Sequence, residues 1–301
     1  MFAELDAETA EREEALHEST LVEFLRAEAR FIGPRTLRVG EEELRAERIV
    51  IAAGTRPVVP PIRGLEDVPY LMSDDALRRE EQPRRLVIIG GGYIAVELAH
   101  FFGGLGAEVT MLVRGQRLLD REDEEISAWL TREYQHRFDV RLGAEAESVA
   151  WRPEGGIEVR LRGRARIDAD AILVATGRRA NSDLLDLERG GIEVDARGYV
   201  AVNPRFEAGA EGVYAFGDII GGQQLKHVAV REAKLLARGL FEGAWGTLNA
   251  GAVPHAVFSS PQVAGVGATE AELRAAGIEY RAGRHEVGRP GWAWRSRRMG
   301  S

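Results

Sequence analysis

The chain has 301 residues, 45% of them apolar and 29% charged, with a net charge of -8, six histidines and no cysteine. Such a length can bury a sizeable core in two or three compact units, and such a composition belongs to a folded soluble protein rather than a disordered one. The acidic balance opposes general affinity for nucleic acid or an anionic membrane, while the missing thiol excludes disulfide staples, thiolate metal sites and a thiol nucleophile supplied by this chain.

Residues 4–18 are acidic and helix-forming, with no apolar block of the kind a secretory signal needs, which points to a cytoplasmic protein. TLVEFL from Thr20 opens a region of short apolar runs that predicts strands through about Val50, the last being the buried strand IVIAAG. Pro57, Pro60, Pro61, Gly64 and Pro69 then make a stiff connector, and a first domain boundary falls near residue 79. From Arg84 the pattern becomes strand (LVIIG), glycine turn, helix over 93–105, a stop at Gly106 and strand (EVTMLV), a βαβ unit. The run 86–106 is long and mostly apolar, but Glu97, His100 and five internal glycines argue against a membrane span.

A helix over 123–136 follows, then a second meander that turns at 153–156 and ends in the buried strand DAILVATG. GVYAFGD predicts a further strand ahead of a helix near 228–241, VPHAVFSSPQVAGVG reads as two strands joined by SerSerPro, and 269–276 carries a short helix signal. The stretch 289–301 is locally basic with Trp292 and Trp294, and reads as a frayed terminus rather than a stacking platform. The histidines show no close ligand spacing, so no metal site is expected.

Gly90, Gly92 and Ala95, with Gly91, Tyr93 and Ile94 between them, fill a G-x-G-x-x-A pattern between a strand and a helix. The first glycine permits the sharp turn, the second lets backbone approach a pyrophosphate, and the small third residue lets helix pack on strand; the helix start then offers free amides to the phosphates. The end of the next strand decides between cofactors, because a carboxylate there would bond the ribose of NAD and repel a 2′-phosphate. Val113 stands at that position, with Arg114 and Arg117 just beyond, and guanidinium forks match phosphate oxygens. The pattern favours NADP over NAD, against the alternative that both arginines are solvated loop charges.

Taken together, IVIAAGTRP, GGGYIAVE, ILVATGRRANSD, GVYAFGDII and VPHAVFSSPQVAGVG resemble, in order and spacing, the motifs of the pyridine nucleotide-disulfide oxidoreductases, over residues 31–280. Within that family LKHVAVREA and SDLLDLERGGIEV look most like the mycothione reductases. The resemblance implies an α/β fold: an FAD-binding domain (1–79 and 181–248) interrupted by a Rossmann-like NAD(P)-binding domain (80–180), then the start of an α+β dimerisation domain (249–301). It implies a homodimer, a small disulfide as substrate, and FAD and NADP as cofactors. It also implies that this chain begins partway through its first domain, since the flavin's own glycine fingerprint and a C-x-x-x-x-C pair are not in it, nor is the acid-base His and Glu pair of the interface domain.

By the same resemblance, Ala53 and Gly54 approach FAD, Asp218 accepts a bond from its ribityl chain, and Lys226 and His227 open a helix whose dipole faces the flavin. Gly177 and Arg178 close the NADP and FAD sites. Tyr93 covers the nicotinamide pocket, or is a core aromatic of the helix's first turn. Glu97 lacks the lysine that partners it in the family, and the bland alternative is an exposed acid on a helix face. His255 lies in the wrong motif to be the family's base. Two rival functions stay open: a cysteine-free flavoprotein acting as an oxidase or transhydrogenase, and a noncatalytic NADP-binding remnant.

Overall fold

The computed structural model describes residues 2–246 and 252–285; the basic stretch 289–301 lies outside them. Contacts divide the chain into a large unit that runs to Gly267 and a small one from Ala268.

The large unit opens with α1 (Phe2–Glu18), which buries no residue. An antiparallel meander follows, of β1 (Ala29–Gly33), β2 (Thr36–Val39) and β3 (Glu42–Arg45). The strand region therefore begins at Ala29 and not at Thr20: residues 20–28 join no strand ladder, and Leu21 is 93% exposed. Apolar spacing alone does not make a strand where no neighbour offers a ladder and no face is covered. Next come β4 (Ile49–Ile51), β5 (Thr55–Pro57), β6 (Tyr70–Leu71) and the single turn α2 (Ser73–Ala76).

The βαβ unit is β7 (Arg85–Ile89), α3 (Tyr93–Gly104) and β8 (Glu108–Val113). It continues through α4 (Glu124–Arg137) and β9 (Asp139–Leu142), a second meander of β10 (Ala146–Trp151), β11 (Ile157–Leu161) and β12 (Arg166–Ala169), and the return strand β13 (Ala171–Val174). Asp123 caps α4 by accepting from the Glu125 amide, with acids in its first turn and His136 and Arg137 in its last, as the helix dipole favours. The run 86–106 is thus strand, turn and helix, and among the described residues no helix is long and apolar enough to cross a membrane.

These strands form a parallel sheet in the order β6-β13-β7-β8-β9. Both faces are covered, so β7 is apolar from Leu86 to Ile89. Leu86 and Ile88 pack toward α3 and α4, whereas Val87 and Ile89 pack toward the second meander with Val149, Ile157 and Val159. The order reverses between β13 and β7, and at such a switch point the carboxyl ends of the strands leave a crevice. The glycine turn stands there.

The chain leaves by β14 (Arg178–Ala180), antiparallel to β5, and reaches β15 (Val213–Ala215), which pairs in parallel with β4 over a core of Phe31, Ile49, Ile51 and Ala215. Then come α5 (Lys226–Glu242) and a hairpin of β16 (Pro254–Val257) and β17 (Val263–Val266). The small unit holds α6 (Glu270–Ala275), whose Thr269 and Glu272 form a reciprocal capping box, and Tyr280, whose hydroxyl donates to Glu270 at 2.6 Å.

Candidate functional site

The three glycines after β7 have three different surroundings. At Gly90 φ is +140°, and an added Cβ would come under 3.0 Å from the carbonyl oxygen of Ala175, just past β13. Its amide donates to Leu112 at 3.0 Å, so the turn is locked between both neighbouring strands. At Gly91 a Cβ would sit 2.7 Å from Val113 Cγ1, and its carbonyl accepts from Leu119 at 2.8 Å. Gly92 is the N-cap of α3, and a Cβ there would meet nothing within 4 Å. Ala95 is fully buried. The amides of Gly92, Tyr93 and Ile94 begin a helix, where no intrahelical acceptor exists for them. Two glycines therefore serve packing, and the third fronts open space at a positive helix end, which suits a pyrophosphate.

Val113, buried, ends β8 where a ribose-binding acid would stand. The two arginines beyond it differ. Arg117 is held by Glu124 of α4 in an ion pair of 2.8 Å, whereas Arg114 is exposed and forms no ion pair among the described residues. The guanidinium open to a new anion is that of Arg114.

Tyr93, the first residue of α3, donates its hydroxyl to Glu122 Oε1 at 2.9 Å. His255, on β16, brings Nε2 to 2.8 Å and 3.0 Å from the two Glu122 oxygens, and its ring meets Tyr93 edge-on at 6.4 Å. Burial, and then the Glu122 carboxylate, push the Tyr93 phenol up to about 12. The residue keeps 39% of its surface, but its hydroxyl rests on a carboxylate side chain only 8% exposed, so the open part is the ring. Tyr93 is thus no core aromatic. Glu97, one turn on, is half-buried and accepts the Phe258 amide at 2.8 Å, which replaces both the lysine partner and the solvated-acid alternative.

A second group gathers at the ends of β4 and β15. Gly54 has φ +64°, and its carbonyl and that of Ala53 accept from the backbone and side-chain amides of Asn181 at 3.1 Å and 2.7 Å. Arg178 donates to the hydroxyl and the carbonyl of Thr55, both at 2.8 Å, and Gly177, with φ +120°, accepts from Val58. Asp218 is half-buried and accepts a long bond, 3.4 Å, from Thr55. Beside it Glu232, 6% exposed, accepts the Gly217 amide at 2.7 Å; burial raises its carboxyl above the ordinary range, the Gly217 amide opposes the rise and the Asp218 charge adds to it. Lys226 and His227 begin α5, which has no side-chain cap, and His227 Nε2 lies 3.0 Å from the Pro254 carbonyl, tying α5 to β16.

Most of the expected residues therefore fall into two clusters. Gly90 to Glu97 lie with Arg114 and Arg117 around the sheet's crevice, and Ala53, Gly54, Gly177, Arg178 and Asp218 lie around the β5 and β14 pairing; Lys226 and His227 belong to neither and stand at the start of α5, His227 against β16. Sequence reasoning missed Thr55, Asn181, Glu122, Glu232 and the role of His255. Thr55, Asn181 and His255 sit inside the motifs named above; Glu122 sits in none, and nothing local marks its meeting with His255. Among the described residues no group of three His, Asp or Glu could hold a metal.

A family profile described as pyridine nucleotide-disulphide oxidoreductase matches residues 4–233, and the profile of that family's dimerisation domain matches 253–299, so the likeness extends past 31–280 at both ends. A mycothione reductase of Mycobacterium tuberculosis is 38% identical over 258 residues, 84% of this chain and 56% of that protein. A glutathione reductase of Burkholderia cepacia is 36% identical over 91% of this chain and 61% of its own length, and a mercuric reductase of Bacillus cereus is 35% identical over 86% and 42%. The solved structure of the HOCl-induced flavoprotein disulfide reductase RclA from Escherichia coli superposes with a TM-score of 0.83 at 30% identity, covering 95% of this chain and 65% of that one. The chain spans about half the length of the curated relatives it matches.

Proposed function

Since this chain belongs to the pyridine nucleotide-disulphide oxidoreductase family, we propose that it is the nucleotide-handling part of an FAD-dependent NADPH oxidoreductase acting on a low-molecular-weight disulfide such as mycothione. The observation that carries the reading is the asymmetry of the glycine turn: Gly90 is packed against Ala175, while Gly92 opens onto free space at a helix start in the sheet's crevice. The amides of Gly92, Tyr93 and Ile94 would hold the pyrophosphate, with Gly91 shaping the turn. Arg114 would hold the 2′-phosphate, with Arg117 behind it on Glu124. Tyr93 would cover the nicotinamide, and Glu97 would fix the hairpin beside it. Gly177 would border this pocket.

Residues 80–180 would form the nucleotide domain, 1–79 and 181–248 the flavin domain, and 249–301 the beginning of a homodimer interface, the last supported by the second family profile. On the flavin side Asp218 would accept from the ribityl hydroxyls, Ala53 and Gly54 would allow close backbone approach, and Arg178 would brace that loop through Thr55. Lys226 and His227 would present the start of α5, whose amides stabilise negative charge. When bound together, the two cofactors supply a hydride path from reduced nicotinamide toward a disulfide. The setting would be the cytoplasm, the compartment in which a thiol product persists.

Calorimetric titration of the purified chain with NADPH, NADH and FAD tests this: saturable binding with NADPH tighter than NADH is expected, and no heat from any of the three in a folded sample would end the proposal. A second reading is favoured by the lack of any cysteine in this chain. Its residues supply no thiolate step, so the purified polypeptide is expected to bind nucleotide without generating thiol from a disulfide; thiol release would refute that.

A further inference from the structure

Glu122 lies outside the motifs that carry the family resemblance, and His255 lies inside one of them with no role given by it, yet the two meet on Tyr93. Glu122 follows β8 in the loop before α4, and His255 comes from a hairpin more than a hundred residues later. One carboxylate oxygen, Glu122 Oε1, receives both the Tyr93 hydroxyl at 2.9 Å and His255 Nε2 at 2.8 Å. The imidazole reaches it because its cross-strand neighbour is Gly265. A Cβ at that position would fall 2.7 Å from His255 Cε1, 3.0 Å from Nε2 and 3.6 Å from Glu122 Oε2. The glycine leaves the channel through which hairpin, acid and tyrosine connect.

We propose that Glu122 and His255 are positioning residues that pin the Tyr93 ring over the entrance for the nicotinamide, so that ring entry requires the Tyr93 to Glu122 bond to break. The inference rests on the nucleotide-binding reading given above. A phenol bonded to a nearly buried carboxylate holds its ring in one pose, and His255 holds that carboxylate by both oxygens. The bonds that make the pin are all between the side chains of Tyr93, Glu122 and His255, apart from the backbone amides and Arg114, where the phosphates would bind. The pin therefore acts on the nicotinamide end of the ligand alone.

The test compares NADPH with 2′-phospho-ADP-ribose, which keeps the phosphates and lacks the nicotinamide, by stopped-flow association and equilibrium titration on the purified chain. Glu122→Ala and His255→Ala are expected to raise the NADPH association rate by about tenfold, the worth of one charge-assisted bond. Both variants should leave 2′-phospho-ADP-ribose unchanged. Gly265→Ala should act like His255→Ala, while His255→Gln, whose amide also donates to Glu122, should restore the slow rate. Tyr93→Phe should show the fast rate, and adding His255→Ala to it should change nothing more. If the variants shift both ligands alike, or if His255→Ala adds to Tyr93→Phe, the pin is refuted while the nucleotide site stands. If the unaltered chain binds neither ligand, the nucleotide reading falls and the pin with it.

Discussion

Gly90 and the Ala175 carbonyl are packed so closely that no side chain fits between the turn after β7 and the end of β13. Gly92, two residues on, has a φ of -84° and space beside it. Alanine substitution should therefore separate folding from binding. Gly90→Ala forces both a clash with backbone and a positive φ, and is expected to destabilise the protein by several kcal/mol. Gly92→Ala should melt at the wild-type temperature and yet lose NADPH binding, since the new methyl occupies the space that a pyrophosphate needs. Thermal denaturation beside calorimetry distinguishes them, and equal melting losses would contradict the assignment.

Arg114 and Arg117 should not be equivalent. Arg114→Ala removes the guanidinium that is open to a phosphate, and a lost charge-assisted pair corresponds to roughly ten- to hundredfold weaker NADPH binding, with NADH unaffected. Arg117→Ala breaks the Glu124 ion pair and should have a smaller effect on the same ratio. Parallel titrations with the two nucleotides give the answer; equal losses for both would remove the 2′-phosphate role.

Glu232 supplies a pH dependence whose sign is fixed by its surroundings. Burial raises its folded-state value above the ordinary 4.5, so the folded protein holds this proton more tightly than the unfolded chain does. The corresponding stability is present below the ordinary carboxylate range and is lost as pH rises through the raised value. Glu232→Gln keeps an acceptor for the Gly217 amide and cannot ionise. Relative to wild type it should gain melting temperature between pH 4 and pH 8, and a gap that shrinks over that range would show the sign to be wrong.

Glu97 anchors the β16 to β17 hairpin through a single bond to the Phe258 amide. Glu97→Ala is expected to speed hydrogen exchange at Phe258 by about tenfold or more, as loss of a bond to a charged acceptor implies, while Glu97→Gln should stay near wild type. Exchange unchanged in Glu97→Ala would mean that the hairpin is held elsewhere.

What could be read from the chain follows from the range of the interactions. The glycine turn was legible because its demands are local: a positive φ, a close backbone and a helix start lie within six residues. The parallel sheet was legible because strands covered on both faces carry unbroken apolar runs, as β7 does from Leu86 to Ile89 and β13 does over its whole length. Arg114 and Arg117 look alike as text, and only Glu124, brought round by the first turn of α4, tells them apart. Glu122 and His255 were illegible because their meeting depends on the register that sets His255 opposite Gly265. Residues 20–28 carry strand-like apolar spacing, but whether such a run becomes a strand depends on a partner that the run itself does not specify.

One consequence follows from the pairing of β5 with β14. Thr55 lies opposite Ala180 and Pro57 opposite Arg178, and Arg56 crosses to Asp183 at 2.6 Å. The polypeptide thus departs for the parallel sheet and comes home through one doorway two strands wide. On the proposed division a cassette of residues 80–180 hangs on that doorway, and the bonds of Glu97 and Glu122 to the hairpin are the further moorings that any swivel of it has to release.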